Sequence, residues 1–507
     1  MPDVHGGAGT KWVLSLFFRE EVIVTEKLKW AEHPLILEIN TWTWLRELSD
    51  QNGKKITLNN VSVKVLEKET RYFDAVWFMG VWTRSPKGRE VALTHPDLQN
   101  EYKNALYDVS EEDVVGSPYS IYDYSVDPQL GGAEGLKAVR KKLGKLGKML
   151  ILDFVPNHVA VDHLWGEEVP DAFVHGSEQD LASNPEGFFK RGDNIFAHGK
   201  DPYFPSWTDT LQVNSFSQAY REKVIGMLQG MGEYCDGVRC DMAMLLVDRI
   251  FQQTWGERSG QPLEQEFWQE VIGRVKEVHP GFKFFAEVYW DMEWELQQQG
   301  FDFCYDKRLY DRLLHEGVGS IKGHLHAEWD YQKRLVRFVE NHDEPRAVSA
   351  FGEKRSLAAA SIALSLPGAR LLHFGQHLGR RIKLPVQLGR GKTERVVPTI
   401  AEHYRKLLPV ISEKIHDNGK WRLFHIDGEE FRQSPFISFL WESEKGMLLV
   451  VVNYSNNNQT GTINFSGLVK GGEKITEEMQ QQTILLDQNQ FDINLRPWEV
   501  KVFRNGK

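Results

Sequence analysis

Arg239, Cys240 and Asp241 lie inside the stretch DGVRCDMAM, Asp236 to Met244. On a strand, residues two apart share a face. A guanidinium and a carboxylate would then stand side by side, and the cation would favour the ionised carboxylate. An ionised carboxylate is a nucleophile, or a partner for a positively charged transition state. Three other apolar runs also end in polar residues: MLILDFVPNH in Asp153, Asn157 and His158, FKFFAEVYW in Glu287, and RLVRFVENHDEPR in His342 and Asp343. One such residue is an ordinary cap or ion pair. Several of them, at the ends of successive strands, make a reaction centre. Glu287 follows the apolar run FKFFA, so partial burial beside Asp241 would raise its pKa and let it carry a proton.

The elements that must position these residues alternate along the chain. Strands are expected at Leu35–Trp42, Phe73–Trp82, Met149–His158, Asp236–Asp241, FKFFAEVYW, FDFCYDK, RLVRFVENHDEPR and ARLLHFG, with helical patterns between them. Eight strand–helix units imply parallel strands with helical crossovers. The simplest closed arrangement is a (β/α)8 TIM barrel, whose chemistry sits at the C-terminal strand ends. An open doubly wound sheet is the alternative, but no G-x-G-x-x-G opens the first helix. Residues 159–214 form a long polar connection after the third strand, expected to be functional or a small subdomain. From about residue 415 the helices stop. Short strands between turns then predict an antiparallel β-sandwich domain over 415–507, after a barrel over 35–414 and an N-terminal extension over 1–34.

The 507 residues suffice for more than one domain, and 41% apolar with 12% aromatic content is globular. A net charge of -10 without a basic block speaks against nucleic-acid and anionic-membrane partners. Cys235, Cys240 and Cys304 form no C-x-x-C pair, so neither a disulfide framework nor a zinc site is expected. The N-terminus lacks a signal-peptide pattern, and no run is long enough for a membrane span. The expectation is a soluble, cytoplasmic protein. The sixteen tryptophans serve core packing or a ring-stacking surface.

DFVPNH, GVRCDMAM, AEVYW and VENHDEP, in this order, resemble the four motifs of the α-amylase clan, glycoside hydrolase family 13. SPYSIYDYSVDP resembles the family's stretch before the third strand, and the terminal sandwich its C-terminal domain. The likeness runs over nearly the whole chain from about residue 35. It implies that Asp241 is the nucleophile, Glu287 the general acid/base and Asp343 the third carboxylate. It implies that Arg239 orients Asp241, that His158 and His342 bind sugar hydroxyls, and that Tyr119 stacks on the sugar. Asp153 and Asp123 are similar to structural carboxylates. Asn157 matches a position that ligates calcium in many relatives, so calcium is possible, although no cofactor is required.

The resemblance implies a retaining α-glycosidase acting on α-glucosidic bonds of glucans or oligosaccharides. An α-glucan transglycosylase of maltosyl-transferase type is the alternative, and a catalytically silent carbohydrate-binding protein a second. Retention needs two carboxyl groups about 5–5.5 Å apart, and neighbouring strands about 4.8 Å apart can present them. Many relatives carry a Lys-His pair where this chain has Met244 and Leu245, so its acceptor side differs unless other loops supply those contacts. After the eighth strand, Arg380, Arg381, Lys383 and Arg390 would suit a phosphorylated sugar. The alternative is that they pair with surface carboxylates.

Overall fold

A computed structural model of the chain describes residues 28–413, 416–417, 419–427, 434–469, 472–486 and 489–505. Eight parallel strands close into a barrel: β1 (Leu35–Asn40), β2 (Ala75–Met79), β3 (Met149–Phe154), β4 (Gly237–Cys240), β5 (Lys283–Ala286), β6 (Phe303–Tyr305), β7 (Leu335–Arg337) and β8 (Ala369–His373). Their order around the barrel follows the sequence, and β1 pairs with both β2 and β8. The near-continuous burial of these runs is what a sheet covered on both faces requires.

Each strand is shorter than the run expected for it, the second and third most tellingly. The second stops at Met79 because Gly80 is left-handed (φ 76°), and a Cβ there would sit 2.9 Å from the Arg84 guanidinium. Trp82–Arg84 instead forms an antiparallel ribbon with Ile121–Val126. The third ends at Phe154, two residues before Pro156, and His158–Ala160 turns away to pair with Thr210–Gln212. The connection over 159–214 is therefore a small β subdomain, which also holds the hairpin Phe188–Arg191 with Asn194–Ala197.

Residues 1–27 of the expected extension lie outside the described residues. The end of that stretch is part of the barrel's packing. The Trp30 ring lies 5.8 Å from that of Phe285, and His33 Nδ1 accepts the Gly368 N–H at 3.0 Å.

The C-terminal strands are β9 (Lys420–Leu423), β10 (Phe436–Ser443), β11 (Gly446–Asn453), β12 (Gln459–Asn464), β13 (Lys474–Glu477), β14 (Gln482–Leu485), β15 (Gln490–Leu495) and β16 (Val500–Asn505). Six form an antiparallel sheet in the order β9-β10-β11-β16-β13-β14, and β12 pairs with β15 as a separate ribbon. Side chains alternate across a strand, and the sheet uses both faces. Ile437, Phe439, Trp441, Leu448, Val450 and Val452 join the barrel's core. Phe436, Leu440, Met447, Leu449 and Val451 pack on Ile463 and Ile493 of the ribbon.

Trp441 is the joint between the two parts. It is fully buried, donates its indole N–H to the Ser365 carbonyl at 2.8 Å and contacts the His33 ring at 5.2 Å. Among the described residues no helix is long and apolar enough to cross a membrane. Trp441→Ala is expected to lower stability by about 3–5 kcal/mol through the cavity it leaves, read as a lower midpoint in denaturant unfolding.

Candidate active site

Register places the first two carboxylates side by side. Cys240 is opposite Ala286 across the β4–β5 pair, so the next residues, Asp241 and Glu287, leave neighbouring strands together. The Glu287 N–H binds the Cys240 carbonyl at 3.0 Å, and the Asp241 N–H binds that of Phe154 at 2.9 Å. The backbone then turns sharply: Met242 is left-handed (φ 43°), and its N–H donates to Glu287 Oε2 at 2.7 Å.

One buried cation joins the carboxylates. Arg239 Nη1 donates to Asp241 Oδ1 at 2.5 Å, and its Nη2 lies 2.8 Å from Glu287 Oε2 and 3.8 Å from Asp343 Oδ2. The guanidinium is ringed by Tyr119, Trp77 and Tyr305, with centroids at 5.2, 5.5 and 5.8 Å. These rings fix the fork by cation–π attraction. Arg239 is 1% exposed, so its hydrogen bonds go to the carboxylates and not to an open subsite.

Asp343 is organised from the other side. Asn341 Oδ1 accepts the N–H groups of Asp343 and Glu344, both at 2.9 Å, and so shapes the turn after β7. His342 Nε2 lies 2.9 Å from Asp343 Oδ2 and 2.5 Å from the Tyr119 hydroxyl, while its Nδ1 lies 2.6 Å from Glu38 Oε1 on β1. An imidazole between two carboxylates holds both protons.

These contacts separate the acidities. Burial pushes Glu287 up to about 7, opposed by Arg239 and reinforced by Asp241 and Asp343. Burial would raise Asp343 too, but the charge and hydrogen bond of His342, then Arg239 and Lys383, hold it well below the carboxylate range. Burial also raises Asp241, against the pull of Arg239, so the expected one-sided effect of the arginine is only part of that balance. His342 is raised to about 10, burial being outweighed by Asp343 and Glu38.

The remaining expected residues fall in three groups. Tyr119 faces the cluster, and His158, lowered by burial to about 4, lies with Nε2 3.1 Å from the Tyr119 carbonyl. Asp153 is structural: it accepts Trp77 Nε1–H at 3.0 Å and the Gly80 N–H at 2.6 Å, bracing the wall beside Arg239. Asp123 is only half-buried, on the ribbon opposite Thr83.

Asn157 does not fit the calcium expectation. Gln212 Nε2 lies within hydrogen-bond reach of three oxygens, which its two N–H groups share: Asn157 Oδ1 at 3.1 Å and the carbonyls of Asn157 at 2.9 Å and Val213 at 3.1 Å. A fully buried NH2 group thus occupies the oxygen cluster that a hard cation would need. Among the described residues no group of three His, Cys, Asp or Glu is placed to hold a metal ion.

In the basic loop after β8, Arg380 forks onto Glu47 at 2.7–2.8 Å, and Arg390 onto Asp113 at 2.6–2.7 Å. These two pair with carboxylates; of the other two, Arg381 is exposed and Lys383 contributes to the field at Asp343. Met244 and Leu245 are buried, 0% and 3% exposed, and contribute packing.

Sequence reasoning missed Glu38, Trp77, Tyr289, Tyr305 and Gln212. Glu38 carried a signal, a lone charge inside the apolar run LILEIN. The others look like core residues until the barrel closes.

A model of the alpha amylase catalytic domain matches residues 102–404. The chain belongs to the alpha-amylase family. Among curated members, it is 24% identical to alpha-amylase MalA of Haloarcula japonica over 69% of this chain and 45% of that one. It is 21% identical to alpha-amylase 3 of Dictyoglomus thermophilum, over 69% of this chain and 77% of that one. The chain thus spans less than half the length of the Haloarcula japonica protein. The crystal structure of alpha-amylase from Geobacillus thermoleovorans, complexed with acarbose, superposes with a TM-score of 0.66 at 18% identity, covering 94% of this chain and 99% of that one. Eubacterium rectale Amy13B also gives 0.66, at 15% identity over 94% and 96%. These likenesses establish an alpha-amylase-family fold.

Chelator treatment is expected to leave the melting temperature unchanged. Gln212→Ala, which strands the Asn157 and Val213 oxygens, should cost about 1–3 kcal/mol, read by denaturant unfolding with and without calcium.

Proposed function

We propose that the protein is a retaining glycosidase of the alpha-amylase type, acting on α-glucosidic bonds of glucans or oligosaccharides. The observation that carries this reading is the bridging of Asp241 and Glu287 by the two ends of one guanidinium. Two carboxylates on the two nitrogens of one guanidinium are compatible with the roughly 5–5.5 Å separation of retaining pairs.

Asp241 attacks the anomeric carbon through Oδ2, since Oδ1 is held by Arg239. Glu287 protonates the leaving oxygen. Its Oε2 already accepts from Met242 and contacts Arg239, so the proton resides on Oε1, the oxygen that also meets the Tyr289 hydroxyl at 2.9 Å. Asp343, kept ionised by His342, faces the positive charge that develops on the ring. Water then gives a proton to Glu287 and displaces Asp241, restoring both groups.

Asp241→Asn should abolish turnover of maltooligosaccharides while leaving glucan binding intact, as measured by product analysis and calorimetry. An active Asp241→Asn enzyme would remove the nucleophile from the scheme. Because Glu287 must carry a proton to act and its pKa is about 7, kcat/KM should fall as pH rises through about 7. Glu287→Gln should abolish that limb for substrates whose leaving group needs no proton.

A further inference from the structure

Each of the two reacting carboxyls has a partner two residues away in the chain. For Asp241 the partner is a cation, Arg239. For Glu287 it is a neutral donor, Tyr289, whose hydroxyl gives a hydrogen bond to Glu287 Oε1 at 2.9 Å. Val288, between them, is fully buried in the barrel core. The mechanism above places the mobile proton on Oε1 and gives Tyr289 no task.

Tyr289 is fixed by the turn that follows it. Its ring is partly buried against the core, and its carbonyl accepts the Met292 N–H at 3.3 Å. Trp290 and Asp291, within that turn, are left-handed, φ 62° and 60°, a backbone that non-glycine residues keep only when the surroundings impose it. Arg308 imposes it through two hydrogen bonds to Asp291. The other groups that face Glu287 reach it elsewhere. Arg239 and the Met242 N–H contact Oε2, while Asp241 and Asp343 act through charge. Among the described residues, the hydrogen bond to Oε1 comes from Tyr289. Burial, then the charges of Glu287 and Asp343, keep the phenol from ionising, so it stays a donor at every working pH.

A hydroxyl donating to Oε1 occupies one of its lone-pair directions and leaves the other for the proton. It also stabilises the charge that Oε1 gains as the proton departs. A second cation there would force the carboxyl to ionise before substrate arrived, whereas a neutral donor does not. We propose that Tyr289 is a positioning residue for the general acid: its hydroxyl turns the proton of Glu287 toward the leaving oxygen and eases its departure. The proposal rests on the glycosidase reading. In the first step Asp241 bonds to the anomeric carbon, the glycosidic C–O bond breaks, and the proton passes from Oε1 to the leaving oxygen. The Tyr289 hydrogen bond then holds a carboxylate. In the second step that carboxylate takes a proton from water at Oε1, and the resting arrangement returns.

The test compares the wild-type chain with Tyr289→Phe on 4-nitrophenyl and 4-methylphenyl α-maltosides, whose leaving groups differ in their need for a proton. Loss of the donor disfavours ionised Glu287, so the alkaline limb of kcat/KM should move up, by about one pH unit for one hydrogen bond to a charged group. Below the limb, kcat/KM on the 4-methylphenyl maltoside should fall about 10-fold, and clearly less on the 4-nitrophenyl one. A ring-fluorinated tyrosine in place of Tyr289 is a stronger donor of the same shape and should move the limb down; it serves if Tyr289→Phe does not fold. The proposal is overturned by a limb that stays or moves down in Tyr289→Phe, by a limb that stays or moves up with the fluorinated ring, or by equal losses on the two maltosides, which is what a purely structural role would give. A wild-type chain that cleaves neither maltoside would overturn the glycosidase reading itself, and the proposal with it.

Discussion

The site depends on one buried guanidinium. Asp241, Glu287 and Asp343 could not share so small a volume as mutually repelling charges, because burial penalises each ion and their proximity penalises each pair. Arg239 removes much of that penalty with two directed nitrogens and a delocalised charge. A lysine could not replace it: an ammonium is a single point on a flexible stem, whereas the planar fork meets two carboxylates at once. The aromatic ring around Arg239 matters for the same reason, since it fixes the plane of the fork without offering a competing anion.

Around that centre, chemically similar groups are driven apart. Glu287, which is buried, and Asp343, which is partly exposed, are carboxyls near the same arginine, yet one is raised and the other lowered. The difference lies in His342. It contacts Asp343 and is itself kept charged by Glu38, a residue of the first strand. Glu287 has no imidazolium beside it; besides Arg239 it contacts a neutral hydroxyl and a backbone N–H. Acid and anion are thus assigned by neighbours and not by residue type.

The rest of the molecule keeps these distances fixed. Asp153 ties the second strand to the third beside Arg239. The loop after β8 is stitched to the segment before Tyr119, with Val115 N–H on the Gln387 carbonyl at 2.8 Å and Gly389 N–H on that of Asp113 at 2.7 Å. The terminal sheet packs one face against the barrel through Trp441 and its neighbours, and buries the other under its own ribbon. Where a cation was expected, the amide of Gln212 supplies the cross-link between the third-strand end and the small β subdomain.

What the sequence by itself determined is what is local in the chain. Apolar runs of strand length, each followed by a helical pattern, specify a parallel barrel, because burial on both faces leaves its mark on consecutive residues. The pairing of Arg239 with Asp241 was legible for the same reason, two residues on one face of one strand. Glu287 and Asp343 could be read because polar groups ending apolar strands are rare unless they have work at the mouth. Only the tertiary structure decided the rest. The bond between Glu38 and His342 joins residues 304 apart, which meet because the first strand closes the barrel beside the eighth. The occupation of Asn157 by Gln212 joins residues 55 apart. The acidities follow burial and the sum of neighbouring charges, quantities that exist only once the barrel has closed.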